Sequence, residues 1–258
     1  MNELQIEILK EEENSGRIFA TGKVDGNSVR FYIDTGSSST KVKTNEVFDR
    51  YTSLESKSII GISGKPIDLS KINIQNITMG PFSILNHQIL RYPNSPEFES
   101  TVGIDLIQNK IVGFEFTKSK ITELDSVDTD SHFTVGPNGY ILIDANISGA
   151  KMSGIWDTGA GLTTIDSGFV KKNATLFEFV KELDANDPTG NGFKMKLYTI
   201  KKIRIGSLNF DNVQVLAYDF SAIRAKFNDQ SINMAIGFNL MIHNDWYFNM
   251  KNHTWFVK

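Results

Sequence analysis

One pattern occurs twice in this chain and constrains its fold more than anything else. Phe31-Tyr32-Ile33-Asp34-Thr35-Gly36-Ser37-Ser38-Ser39-Thr40 and Gly154-Ile155-Trp156-Asp157-Thr158-Gly159-Ala160-Gly161-Leu162-Thr163-Thr164 each carry an aspartate from an apolar run into a glycine turn. A short apolar run rich in aromatic and β-branched side chains has the composition of a buried strand. A carboxylate at the end of such a strand is costly unless it is hydrogen-bonded or used. Two carboxylates in matching settings suggest a pair.

The flanking sequence repeats as well. Asp25-Gly26-Asn27 and Ser148-Gly149 read as hairpin turns, and each turn glycine stands eight positions before its aspartate. Equal spacing points to a duplicated unit. After the first aspartate, a polar stretch from Lys41 to Leu54 has room for one short helix. Apolar arms around Gly61, Ile62, Ser63 and Gly64 then describe a hairpin with a mobile tip, and Asp187–Phe193 is its weaker counterpart. Strands are expected over Ile72–Gly80 and Ile200–Gly206. Each unit closes on a shared frame, Val102-Gly103-Ile104-Asp105-Leu106 and Ile236-Gly237-Phe238-Asn239-Leu240, with a phenylalanine eleven residues beyond the glycine, Phe114 and Phe248. The division expected is residues 1–124 as a first lobe, 125–132 as an acidic linker and 133–258 as a second lobe.

Composition narrows the function classes. With 258 residues, 40% of them hydrophobic and 22% charged, the chain has the make-up of a globular protein with room for two small domains. A net charge of −3 offers no basic field for nucleic acid, and no apolar run is long enough for a membrane span. The absence of cysteine removes disulfide scaffolds, thiolate metal sites and cysteine nucleophiles together. The N-terminal residues alternate like a strand and lack the apolar core of an export signal. The compartment is left open: cytoplasmic for the chain as given, periplasmic or secreted if a signal has been removed.

Two Asp-Thr-Gly turns, each followed by a glycine-centred hairpin and an apolar-Gly-X-Asp/Asn-Leu element, resemble the aspartic peptidases, and more closely their retropepsin-like branch. The resemblance covers nearly the whole chain. It implies an all-β, bilobal acid-protease fold of two tandem retropepsin-like β-barrel lobes, with Asp34 and Asp157 meeting at the lobe interface beneath a flap. Retroviral members build this site from two identical chains, whereas here both halves lie in one chain, as in pepsin. The chain departs from pepsins in having no cysteines and short lobes.

The chemistry follows from the carboxylates. Two held within hydrogen-bonding distance do not both ionise readily, so they share one proton. The ionised partner takes a proton from water and the protonated one donates to a peptide carbonyl, with no metal or organic cofactor required. By resemblance, Thr35 and Thr158 lock the two loops together, Gly36 and Gly159 allow close backbone approach, and Gly103 and Gly237 pack behind the loops. Ser37 in the first copy faces Ala160 in the second, and the Ser37 hydroxyl is expected to donate to Asp34 and favour its charged form. Activity is expected at mildly acidic pH. The four histidines and the tryptophans read as structural, with Trp156, Trp246 and Trp255 in the core. The leading reading is an aspartic endopeptidase that cleaves peptide or protein substrates between apolar residues and works as a monomer. The alternatives are a catalytically silent peptide-binding clamp and a homodimer that pairs like lobes.

Overall fold

The computed structural model describes residues 2–11, 14–60, 66–93, 98–186 and 192–258. In the first half the strands are β1 (Glu3–Gln5), β2 (Glu7–Lys10), β3 (Gly16–Val24), β4 (Asn27–Ile33), β5 (Lys41–Val42), β6 (Ser56–Ile60), β7 (Pro66–Met79), β8 (Phe82–Arg91), β9 (Thr101–Val102), β10 (Ile111–Glu115) and β11 (Lys120–Glu123). In the second half they are β12 (Ser131–His132), β13 (Thr134–Val135), β14 (Ile141–Ile147), β15 (Ala150–Trp156), β16 (Thr164–Asp166), β17 (Phe177–Asn186), β18 (Gly192–Ile205), β19 (Leu208–Tyr218), β20 (Ile232–Ile236), β21 (Asp245–Asn249) and β22 (Thr254–Val257). Three short helices, α1 (Ser167–Lys172), α2 (Ser221–Phe227) and α3 (Phe238–Met241), lie between strands of the second half. The fold is all-β, as the sequence predicts.

Two eight-stranded sheets carry most of the chain. The first runs β2-β3-β4-β9-β5-β8-β7-β6 and the second β13-β14-β15-β20-β16-β19-β18-β17, with one extra pairing in each, β3–β7 and β14–β18. Parallel and antiparallel pairings also match: β4–β9 and β15–β20 are parallel, as are β5–β8 and β16–β19, while β5–β9 and β16–β20 are antiparallel. Local sequence sets these registers. Asp25 and Gly26 turn β3 into β4 with φ of 46° and 83°, and Ser148 and Gly149 turn β14 into β15 with φ of 50° and 95°. Two consecutive positive φ values make a tight hairpin turn whose twist suits the flanking strands. Alternation along β4 then buries Val29, Phe31 and Ile33, and β15 ends on fully buried Trp156. Each aspartate is the next residue.

Several local expectations change form. The N-terminal alternation is two strands, β1 and β2, in different sheets, separated by buried Ile6. The segments expected to begin at Ile72 and Ile200 are the far ends of 14-residue strands that run unbroken from each hairpin. The Lys41–Leu54 stretch holds its short helix, a single 3-10 turn at Phe48–Arg50, but opens with the buried strand β5. The predicted flap tip, Gly61, Ile62, Ser63 and Gly64, lies outside the described residues, as does most of the weaker one. The arms of both hairpins pair, with Ile60 opposite Pro66 and Asn186 opposite Gly192.

A third sheet draws on both halves of the chain, in the order β1-β11-β10-β21-β22-β12. At its centre β10 lies antiparallel to β21, with Val112 opposite Phe248 and Phe114 opposite Trp246. Trp156 sits against this sheet, its ring centroid 4.6 Å from Phe114 and 4.7 Å from Phe248. Aromatic packing of this kind adds to the area that each ring removes from water. Trp246 and Trp255 are buried as well. The stretch expected to link the halves carries no strand or helix until its end, where Ser131–His132 joins the third sheet as β12.

Candidate active site

The aspartates end equivalent strands, and the backbone holds them in equivalent ways. The Asp34 N–H donates to the Val102 carbonyl at 3.0 Å, and the Asp157 N–H to the Ile236 carbonyl at 3.0 Å. Ser37 N–H closes the first turn on the Asp34 carbonyl (3.1 Å), and Ala160 N–H closes the second on the Asp157 carbonyl (3.2 Å). Behind the turns, Ile104 N–H donates to the Ser37 carbonyl and Phe238 N–H to the Ala160 carbonyl, both at 2.8 Å.

The closing glycines lie where this packing leaves no room for a side chain. A Cβ on Gly103 would stand 2.6 Å from the Ser37 carbonyl oxygen, and one on Gly237 2.7 Å from that of Ala160. The polar residue two positions later ties the frame to the end of its loop. Asp105 accepts from Thr40 N–H (2.7 Å) and the Thr40 hydroxyl (2.9 Å), and Asn239 Oδ1 accepts from Thr163 N–H and hydroxyl (both 2.8 Å). Either residue accepts these bonds, which is why the frame accommodates Asp in one half and Asn in the other.

Between the loops the two threonines interlock. Thr35 N–H donates to the Thr158 hydroxyl and Thr158 N–H to the Thr35 hydroxyl, both at 3.0 Å. The hydroxyls in turn donate to the strand ends of the opposite half, Thr35 Oγ1 to the Trp156 carbonyl (2.8 Å) and Thr158 Oγ1 to the Ile33 carbonyl (2.9 Å). Both threonines are buried, so these four bonds form in a setting where unpaired groups are costly.

This lattice brings Asp34 and Asp157 together, close enough for each carboxyl group to shift the other. Both remain partly accessible. Gly36 N–H (3.1 Å) and Gly159 N–H (2.8 Å) both donate to Asp157 Oδ1. A Cβ on Gly36 would lie 2.4 Å from the Asp157 carboxyl carbon, and one on Gly159 2.3 Å from Asp34 Oδ1. Glycine at these positions is therefore a requirement of close approach. The four loop residues at positions 35, 36, 158 and 159 all meet at this point.

The pair is electrostatically uneven. Burial raises both carboxyl groups above the ordinary range. For Asp157 the negative charge of Asp34 pushes the same way, while N–H donation from Gly159 and Gly36 opposes it. For Asp34, after burial, the next influence is the Lys41 ammonium, which favours the charged form. The two side chains are coupled, so they titrate as a pair that shares one proton.

The Ser37 expectation needs correction. Its hydroxyl donates to the Ser39 carbonyl (3.0 Å) and accepts from the Lys41 ammonium, so its proton is directed away from Asp34. Ala160 has no side-chain donor, as expected, but the added feature of the first half is a cation. Lys41 is missed by sequence reasoning because it opens a polar stretch. Aligning Thr40-Lys41 with Thr163-Thr164 exposes it as a charge where the other copy has a hydroxyl. Tyr32 is missed too. It stands where the second copy has Ile155, and its hydroxyl crosses to the Gly159 carbonyl at 2.7 Å. Burial and the two nearby carboxylates keep that phenol protonated far above its usual range.

Among the described residues no three His, Asp or Glu side chains group as metal ligands, and no helix is long and apolar enough to cross a membrane. A search of curated proteins finds no match to the chain. Residues 143–240, from within β14 to within α3, match the model of the aspartyl protease family, a span that contains Asp157, Gly237 and Asn239 and to which this part of the chain is similar.

Proposed function

We propose that this chain is an aspartic endopeptidase whose single active site is formed by Asp34 and Asp157. The observation that carries the proposal is the meeting of the two carboxyl groups across the threonine lattice, within one chain and at the ends of equivalent strands. In this reading the chain is a duplicated, retropepsin-like unit: residues 1–124 and 133–258 are its lobes, 125–132 joins them, and each lobe supplies one aspartate. A site completed within one chain favours a monomer over a dimer that pairs like lobes.

The mechanism follows from the uneven pair. Ionised Asp34 removes a proton from a water molecule while protonated Asp157 donates its proton to the carbonyl oxygen of the scissile peptide. The resulting hydroxide oxygen bonds to the carbonyl carbon and forms a tetrahedral diol. Asp34 then returns its proton to the leaving nitrogen and Asp157 recovers one from the diol hydroxyl, so the carbon–nitrogen bond breaks and the pair is restored. Gly36 and Gly159 hold Asp157 by N–H donation, and the lattice keeps the two carboxyls in register. An extended peptide with apolar residues about the scissile bond is the expected substrate, held by main-chain pairing.

The test is cleavage of a mixed peptide library from about pH 3 to 7 by the native protein and by Asp34→Asn and Asp157→Asn. Cuts that vanish in both variants support one shared pair. Survival of cleavage in either variant refutes it, and folded native protein that binds peptides without cutting them marks the chain as a peptide clamp.

A further inference from the structure

The two loops differ in one charged residue. Lys41 and Thr164 each stand seven positions after an aspartate, at matched places in the sheets. Lys41 pairs with Leu90 and Thr101, and Thr164 with Leu216 and Ala235. A duplicated fold that accepts threonine here has no structural need of an ammonium. Yet Lys41 is only 8% exposed, and a buried cation persists at a cost unless it is paired and hydrogen-bonded.

Its partners lie on the Asp34 loop. The ammonium donates to the Ser37 hydroxyl and, at 3.2 Å, to the Ser39 carbonyl. Ser37 N–H in turn closes the turn on the Asp34 carbonyl. The charge therefore sits on the inner side of one aspartate's loop, and the opposite loop presents Ala160 and Thr164 at the corresponding places.

We propose that Lys41 is a positioning residue that assigns the single negative charge of the pair to Asp34. The inference rests on the paired-carboxyl reading and extends it from which residues meet to which of them acts as base. Several other titratable groups face this site. Asp157 approaches Asp34 from the opposite loop, and Tyr32 and Tyr92 lie within electrostatic reach of it. Asp105 also feels Lys41, but its two oxygens already accept from Thr40, and His87 Nε2 lies 3.8 Å from its Oδ2. Of the carboxyls near Lys41, Asp34 is the one that shares a proton with a partner, so a fixed cation there decides where that proton resides.

The decisive measurement is a carbon-13 titration of the aspartate carboxyl carbons in the native protein, Lys41→Met and Lys41→Arg, with the pH profile of peptide cleavage recorded alongside. Asp34 is expected to ionise before Asp157 in the native protein. In K41M this first ionisation should move up by about one to three pH units, the acidic limb of kcat/KM should move with it, and K41R should restore both. The proposal is overturned if Asp157 ionises first in the native protein, an outcome that needs no variant to fold. It is also overturned if folded K41M is merely less stable and titrates like the native protein, which is the behaviour of a simple loop tie. A shifted titration in a protein that cuts no peptide would uphold the charge assignment while refuting the peptidase reading.

Discussion

Replacing Thr158 by valine tests whether the threonine lattice is what brings the two halves of the site together. Valine keeps the shape and removes only the hydroxyl, so two groups lose their partners: the Thr35 N–H, which donates to Thr158 Oγ1 at 3.0 Å, and the Ile33 carbonyl, which accepts from it at 2.9 Å. Thr158 is fully buried and Thr35 is 3% exposed, which leaves little room for water to compensate. At about 1–3 kcal/mol for each buried group left unpaired, the change should cost roughly 2–6 kcal/mol. Thr158→Ser keeps the hydroxyl and loses a methyl, so it should cost no more than about 1 kcal/mol. Urea unfolding of the two variants beside the native protein supplies the comparison. Peptide cleavage should fall in T158V and persist in T158S, because the lattice sets the separation of Asp34 and Asp157. A T158V protein within about 0.5 kcal/mol of native, a typical scatter for neutral surface changes, would refute the reasoning.

Other consequences can be checked in the same way. Gly159→Ala places a methyl 2.3 Å from Asp34 Oδ1 and should abolish cleavage while costing about 1–3 kcal/mol, measured by activity and by urea midpoint. Because burial and then the Asp34 charge raise the Asp157 carboxyl, the folded state holds that proton more tightly than the unfolded chain does. Its contribution to stability therefore declines as pH rises above the unfolded value near 4, so Asp157→Asn should be more stable than native at pH 7, with the gap closing toward pH 4; equal midpoints at both pH values would contradict this. Asn239→Asp keeps the acceptor for Thr163 but removes the amide that donates to the Gln214 carbonyl at 2.9 Å. It should cost about 1–3 kcal/mol at neutral pH and less below pH 4, where a protonated acid can donate again; thermal unfolding at both pH values decides.

What the sequence made legible was local or repeated. Asp25-Gly26 and Ser148-Gly149 state their turn geometry in two residues, and the Gly103 and Gly237 frames recur closely enough to be matched by eye. The two aspartates stand out in the sequence because each sits at the junction of an apolar run and a glycine turn. The third sheet was not legible, because it pairs β10 with β21 and gathers β1 and β12 from distant parts of the chain. Long-range pairing of this kind leaves no periodicity within any one window. The two-residue strand β5 was missed for the same reason, and with it the fact that Lys41 is buried.

That miss changes how the asymmetry of the site is explained. The contrast between Ser37 and Ala160 is visible in the sequence, and by itself it points to Asp34 as the charged partner through a hydroxyl bond. The structure directs that hydroxyl to Ser39 and supplies a cation behind it instead. A hydroxyl rotates, and it stabilises a neighbouring charge only while its proton points the right way, whereas an ammonium favours an adjacent carboxylate in every rotamer that keeps it near. The strand-end and turn bonds of the two halves match, but Gly36 and Gly159 N–H both donate to Asp157 Oδ1, so the loops themselves already treat the two aspartates differently. Side chains that differ between the halves add to that difference. Lys41 against Thr164 differs in charge, and Tyr32 against Ile155 differs in a hydrogen bond that crosses to the Gly159 carbonyl. Both unmatched side chains belong to the first half, whereas the uneven N–H donation falls on Asp157, so the asymmetry of the pair has a contribution from each side.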